Sequence, residues 1–118
     1  EQYPLEVLGS GEQVRSFTNV ADIAAGVYAC AYSETAANND FNLGSSEGVT
    51  MLDLAERIWE YCDREQKFAV DRQEGFKHDV KQRVPDSSKA RRKLDWKPDI
   101  TLEESLAEYV AWYREELQ

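Results

Sequence analysis

The apolar positions of this chain fall into short blocks divided by polar turns. Leu5-Glu6-Val7-Leu8 is a compact apolar run closed by Gly9, and Ser10-Gly11-Glu12 has turn chemistry. From Val14 to Val20 the residues alternate, with Val14, Ser16, Thr18 and Val20 on one face and Arg15, Phe17 and Asn19 on the other. This predicts a second strand, joined to the first by a hairpin at Gly9 and Gly11. A helix follows. Asn19 is its N-cap, Asp22 suits the positive end of the dipole, and Val20, Ile23, Ala24, Val27 and Ala31 form the apolar stripe. Residues 33–40 are a polar loop, Phe41-Asn42-Leu43 a third strand, and residues 44–48 the turn after it. Thr50 caps the next helix, with Asp53 at the capping-box position and Met51, Leu54, Ala55, Ile58 and Cys62 on its apolar face. Lys67–Val70 reads as a fourth strand. Residues 71–85 have no clean period. A short helix spans about Ser87–Leu94, and Thr101 with Glu104 opens a last helix that buries Leu102, Leu106, Tyr109, Val110, Tyr113 and Leu117. The pattern predicts one α/β domain over residues 1–118. Its small sheet (Leu5–Leu8, Arg15–Val20, Phe41–Leu43, Lys67–Val70) packs with three to four helices.

A length of 118 residues, 42% of them hydrophobic, suits one modest core and excludes a disordered chain. No apolar run approaches the roughly 18 residues of a membrane span, and neither a signal peptide nor a polybasic tail is read. Cys30 and Cys62 lack metal-type spacing. They are read as reduced thiols in the cytoplasm, a disulfide being the alternative. The first residue is Glu1 and the one methionine is Met51, so the chain is expected to be a processed product or a piece of a longer protein.

Net charge is −9 but uneven: Lys67–Lys97 holds ten Lys/Arg against five Asp/Glu, a local +5, and the remainder carries −14. Such a segment is either an anion-binding surface or a solvated face. Its densest part, residues 75–86 (GFKHDVKQRVPD), gathers Lys77, His78, Asp79, Lys81 and Arg83 in an irregular stretch. His78 is the single histidine, so a multi-histidine metal site is excluded, and no Gly-x-Ser-x-Gly elbow supports a hydrolase. Gly9-x-Gly11 is not a dinucleotide fingerprint, because Val14 stands where the third glycine belongs and a strand follows instead of a helix. Arg15, beside Phe17, offers a planar fork to a phosphate or carboxylate; the alternative is an ion pair with one of the many acids.

Four stretches in order resemble one family. They are Leu5-Glu6-Val7-Leu8-Gly9 with Gly11-Glu12-Gln13-Val14-Arg15-Ser16-Phe17-x-x-Val20-x-Asp22; Phe41-Asn42-Leu43-Gly44-Ser45 with Val49-Thr50-Met51-x-x-Leu54-Ala55; His78-Asp79 through Arg83-Val84-Pro85-Asp86-x-Ser88-Lys89-Ala90 and Leu94-x-Trp96-x-Pro98; and Thr101–Leu106 with Trp112-Tyr113. Together they resemble the C-terminal, substrate-binding part of extended short-chain dehydrogenases acting on nucleotide sugars: UDP-glucose epimerases, dTDP-glucose dehydratases and UDP-glucuronate decarboxylases. The resemblance implies a Rossmann half, N-terminal to this part, that binds NAD and carries a Tyr-x-x-x-Lys pair. Tyr61 is followed by Glu65 and Tyr28 by Tyr32, so no catalytic residue and no cofactor is expected on this chain. The implied partners are a UDP- or dTDP-sugar, the Rossmann half, and a second copy in a homodimer of the whole enzyme.

By the same resemblance Arg15 grips the diphosphate and Asp79 accepts from ribose hydroxyls. Arg83 lies near the sugar or diphosphate, Glu6 and Leu8 flank the base, and Phe17 is an aromatic nearby. Many relatives carry Arg-Pro-Gly where this chain has Phe76-Lys77-His78. A second phosphate-binding arginine is thus replaced, with Lys77 as the substitute point charge. A different class of function, a stand-alone module binding nucleic acid or another anion through residues 67–97, is disfavoured by the overall −9 and by the scatter of Phe68, Phe76 and Trp96. An apolar face that docks on the Rossmann half is expected to be exposed, favouring oligomerisation or marginal stability.

Overall fold

A computed structural model describes residues 3–116. The fold is α/β, and it divides into two compact units interleaved along the chain. One is built from the described parts of Glu1–Arg15, Val49–Arg83 and Leu106–Gln118, the other from Ser16–Gly48 and Val84–Ser105.

The first unit holds two small sheets. Strand β1 (Leu5–Leu8) pairs in parallel with β4 (Val70–Gln73), Leu5 opposite Val70. Strand β2 (Val14–Arg15) lies between β3 (Val49–Thr50), antiparallel, and β5 (Gln82–Arg83), parallel. Helix α2 (Met51–Tyr61) follows β3 directly, and Thr50 caps it by accepting from the Asp53 amide at 3.1 Å. Asp53 turns its carboxylate to Arg57, 3.0 Å away. Trp59 is the most buried residue of α2. Its indole donates to the Gln66 carbonyl, and its ring meets Tyr3 and the edge of Phe68.

The second unit is organised on helix α1 (Val20–Tyr32). Asn19 caps it, accepting from the Ala21 amide. A short 3-10 turn (Glu34–Ala36) and helix α3 (Ser88–Leu94) follow in chain order. Asp95, in the left-handed conformation, ends α3. Trp96, 6% exposed, then packs on Gly26 so closely that a Cβ there would lie 2.9 Å from the indole and from Leu43. Helix α4 (Leu102–Glu116) starts with the reciprocal capping box: the Thr101 amide donates to Glu104, and the Glu104 amide to the Thr101 hydroxyl.

Four sequence expectations are corrected. There is no hairpin at Gly9–Gly11. The turn's backbone is satisfied elsewhere, with the Gly11 and Gln13 carbonyls accepting from Leu52 and Met51 at the start of α2, which leaves β1 and β2 in different sheets. The second strand is only Val14–Arg15, because the chain leaves the sheet there and extends toward the cap of α1. Phe41–Leu43 is not a strand. Leu43 packs on Gly26, the Asn42 amide donates to Asp86, and the Gly44 carbonyl accepts from Ser87. The strand expected at Lys67–Val70 lies at Val70–Gln73, where pairing with β1 overrides the polarity of Asp71, Arg72 and Gln73.

The helix stripes shift as well. On α1 the inward face is Asp22 and Gly26, with Ile23 beside them, while Val20 (80% exposed), Ala24, Val27 and Ala31 face outward. On α4 Leu106 is buried and Tyr109 and Tyr113 are exposed. Leu117 lies outside the described residues.

Candidate functional site

Strand β2 is only two residues long, yet it is the strand through which three chain segments meet. As register partners on adjacent parallel strands, Arg15 and Arg83 project from the same face of the sheet, about 4.8 Å apart in strand spacing. Two arginines whose Cα atoms are that close can both reach one diphosphate with their long side chains. The loop between β4 and β5, residues 74–81, runs alongside, and its last residue is tied to β2 by the Val14 amide donating to the Lys81 carbonyl at 2.8 Å.

Arg15 is fixed from two directions. Its Nη1 donates to the Val14 carbonyl at 2.8 Å and to the Val80 carbonyl at 2.7 Å, so the guanidinium is pinned by backbone on both sides of the loop junction. Its Nη2 donates to Asp79 Oδ1 at 2.7 Å, a short charge-assisted contact. The side chains are 21% and 36% exposed, so water reaches the pair from the Asp79 side. The ion pair weighed as the alternative for Arg15 is therefore present, and its acid is Asp79.

Of the sequence-predicted site residues, Glu6, Leu8, Arg15, Lys77, Asp79 and Arg83 belong to the first unit and Phe17 to the second. Glu6 and Leu8 lie opposite Asp71 and Gln73 in the β1–β4 pair, on the exposed face, with Val7 buried on the other. Lys77 and Arg83 are exposed. The three-centre hold of Arg15 by Val14 and Val80 was not legible. A backbone carbonyl carries no residue signature, and only the parallel β2–β5 register brings Val80 to Arg15.

Asp22 is the other residue whose role the sequence concealed. The family-like pattern contains it, but its work is internal. One carboxylate oxygen accepts from the Asp99 amide at 3.1 Å and the Ile100 amide at 2.9 Å, and its own carbonyl accepts from the Trp96 indole.

The basic segment divides between the units. Lys67, Arg72, Lys77, Lys81 and Arg83 fall in the first, and Lys89, Arg91, Arg92, Lys93 and Lys97 in the second. In the second unit Lys89 pairs with Asp40 and Lys97 with Asp99. The Lys89 contact holds the Asp40 carboxyl below its ordinary range.

The chain is similar to known proteins along nearly its whole length. A profile of the GDP-mannose 4,6 dehydratase family matches residues 1–109. The chain is 35% identical over 113 residues with UDP-glucuronic acid decarboxylase 1 of Arabidopsis thaliana, covering 96% of this chain and 25% of that protein. Among solved structures it is similar to UDP-glucose 4-epimerase of Thermotoga maritima, determined with UDP-glucose (28% identity, TM-score 0.85, 97% of this chain and 36% of that one). It is also similar to UDP-glucuronic acid 4-epimerase of Bacillus cereus, determined with UDP-glucuronic acid and NAD (26% identity, TM-score 0.82, 98% and 36%). The chain belongs to this family of nucleotide-sugar epimerases and dehydratases, within the extended short-chain dehydrogenases. It spans a quarter to little more than a third of the length of these relatives.

The Gly9–Gly11 turn is not built as a dinucleotide-binding turn. Gly9 and Gly11 adopt positive φ, but the chain continues into β2 and not into a helix whose amides would meet a pyrophosphate. A Cβ at Gly11 would fall 2.5 Å from Leu52 and 3.0 Å from Val7, so this glycine makes room for packing.

Proposed function

We propose that this chain is the part of an NAD-dependent nucleotide-sugar epimerase, dehydratase or decarboxylase that holds the nucleotide sugar, and that it performs no turnover by itself. The observation that carries the reading is the pre-set guanidinium of Arg15 with Arg83 in register beside it and the Asp79 carboxylate within hydrogen-bond distance. Two cations suit a diphosphate, and an acceptor beside them suits a vicinal diol. Exposed Lys77 adds a point charge on the same loop, and the outer face of β1 at Glu6 and Leu8 offers a flat surface for a base. Phe17 is carried as a further contact. The 35% identity with a plant UDP-glucuronic acid decarboxylase favours decarboxylation as the second reading of the whole enzyme's reaction.

The cofactor-binding Rossmann half is the proposed partner. Helix α1 supports this: its one charged residue, Asp22, points inward, so the outer face of Val20, Ala24, Val27, Tyr28, Ala31 and Tyr32 is apolar or tyrosine throughout. A face of that kind is covered in a finished protein. A cytoplasmic setting fits the two free thiols, Cys30 and Cys62. The nucleic-acid reading keeps one exposed ring, Phe76, out of its three aromatics, since Trp96 is buried and Phe68 is half-buried against Trp59.

Isothermal titration of the chain with UDP, UDP-glucuronate and NAD tests the reading. UDP and the UDP-sugar bind weakly and NAD does not. NAD binding as tight as that of UDP would overturn it.

A further inference from the structure

The Arg15–Asp79 contact contains a competition. A ligand phosphate needs the Nη2 edge of Arg15, and that edge is already held by a carboxylate of the same chain, at 2.7 Å. The opposite side of the guanidinium is held differently, by the Val14 and Val80 carbonyls, which no anionic ligand would displace. One side is therefore fixed and the other exchangeable. The Asp79 side chain extends from an exposed loop position, and rotation about its χ1 frees Nη2 without disturbing the Val80 carbonyl one residue on.

We propose that Asp79 is an internal stand-in for the ligand's phosphate, and that binding exchanges one for the other at Arg15. The carboxylate leaves Nη2, a phosphate oxygen takes its place, and the released carboxylate becomes an acceptor for a hydroxyl of the same ligand. The exchange rests on the nucleotide-sugar reading above and adds a selection rule to it. Releasing Asp79 breaks a charge-assisted contact, and only a ligand that offers both an anion and a hydroxyl at the right separation satisfies both partners again. An anion without a hydroxyl leaves Asp79 unpaired next to new negative charge. The empty site is meanwhile kept from collecting free phosphate.

Two probes separate the parts: inorganic pyrophosphate, which has the anion alone, and UDP, which has anion and ribose. Each is titrated into the wild-type chain, Asp79→Asn and Arg15→Gln by calorimetry. With the carboxylate charge gone, Asp79→Asn binds pyrophosphate at least about threefold more tightly, within the range of a partly exposed ion pair, and UDP no more tightly than the wild type does. Arg15→Gln loses both ligands. Equal or weaker pyrophosphate binding by Asp79→Asn overturns the exchange while leaving the nucleotide reading intact, provided UDP still binds the wild type. If neither probe binds any form of the chain at millimolar concentration, both readings fall. Amide exchange of residues 74–81 is the second readout. In the ligand-free protein the Asp79 amide and its neighbours exchange faster in Asp79→Asn than in the wild type, with an unchanged unfolding midpoint; a lowered midpoint with weakened binding of both probes assigns Asp79 a structural role and overturns the exchange.

Discussion

Asp22 and Arg15 are both charged residues that hold loop backbone, and they do so with opposite consequences. Asp22, 8% exposed, spends its charge on two amides of the segment after Trp96, and its carbonyl receives the indole of Trp96 itself. Every partner is fixed covalently into the fold, so nothing can be exchanged. Arg15 likewise binds backbone through Nη1, but its Nη2 meets a side chain on an exposed loop. A charge answered by buried backbone is architecture. A charge answered by a solvent-facing carboxylate is replaceable, and a replaceable partner marks a place where a ligand can enter.

The largest effects expected from breaking this contrast are at Asp22 and at its partner Trp96. Asp22→Ala orphans two amides in a part-buried setting and should cost about 2–4 kcal/mol of unfolding free energy. Trp96→Ala, which empties the space over Gly26, should cost about 3–5 kcal/mol. Chemical denaturation of the purified chain measures both. Arg15→Gln should cost less than about 1.5 kcal/mol, since its pair is partly exposed, yet abolish UDP binding. If Arg15→Gln proves the more destabilising of the two polar variants, the division into architecture and exchange is wrong.

The outer face of α1 sharpens the contrast from another side. Val27→Glu and Tyr28→Lys alter exposed positions and should change the chain's unfolding free energy by no more than about 0.5 kcal/mol. In a protein that includes the cofactor-binding half they should cost far more, because a charge is then buried without a partner. The comparison of the same two substitutions in the two settings, by thermal unfolding, reads the difference directly; equal effects would remove α1 as a docking face.

How far the sequence disclosed all this depends on the kind of interaction. Local signals were legible: Asn19, Thr50 and the Thr101–Glu104 box cap helices where the residue types demand it. Leu5–Leu8 is a strand as its apolar run predicts. Pairing partners were not legible. Val70–Gln73 is drawn into a sheet by β1 across more than sixty residues, and Phe41–Leu43, with the better strand composition, is used for packing. The α1 stripe misleads for a related reason. Val20, Ala24, Val27 and Ala31 are turned outward, and of the expected stripe only Ile23 stays beside the Asp22 and Gly26 that line the inside, so periodicity alone names the wrong face. At the site, Arg15, Asp79 and Arg83 were singled out from chemistry and resemblance, but that the first two meet each other follows only from the β2–β5 register.

The smallest effect expected is at the start of α4, and its pH dependence has a definite sign. Glu104 accepts from the Thr101 amide and, secondarily, from the Thr101 hydroxyl, and these contacts hold its carboxyl below the ordinary value of 4.5. A carboxyl lowered on folding stabilises the folded state wherever the unfolded chain is already ionised, and the contribution disappears as the group protonates in the fold. The capping contribution is therefore complete at neutral pH and fades as the pH falls below about 4.5 and through the lower folded value. Thr101→Ala should cost about 1 kcal/mol at pH 7, as loss of an N-cap usually does. Glu104→Gln should cost less at pH 7, since the amide still accepts, and the difference from the wild type should shrink from pH 7 to pH 3 as the Glu104 carboxyl loses its charge. Urea unfolding of the three proteins at the two pH values measures this. A Glu104→Gln deficit that persists undiminished at pH 3 would mean that the fold uses the shape of Glu104 and not its charge.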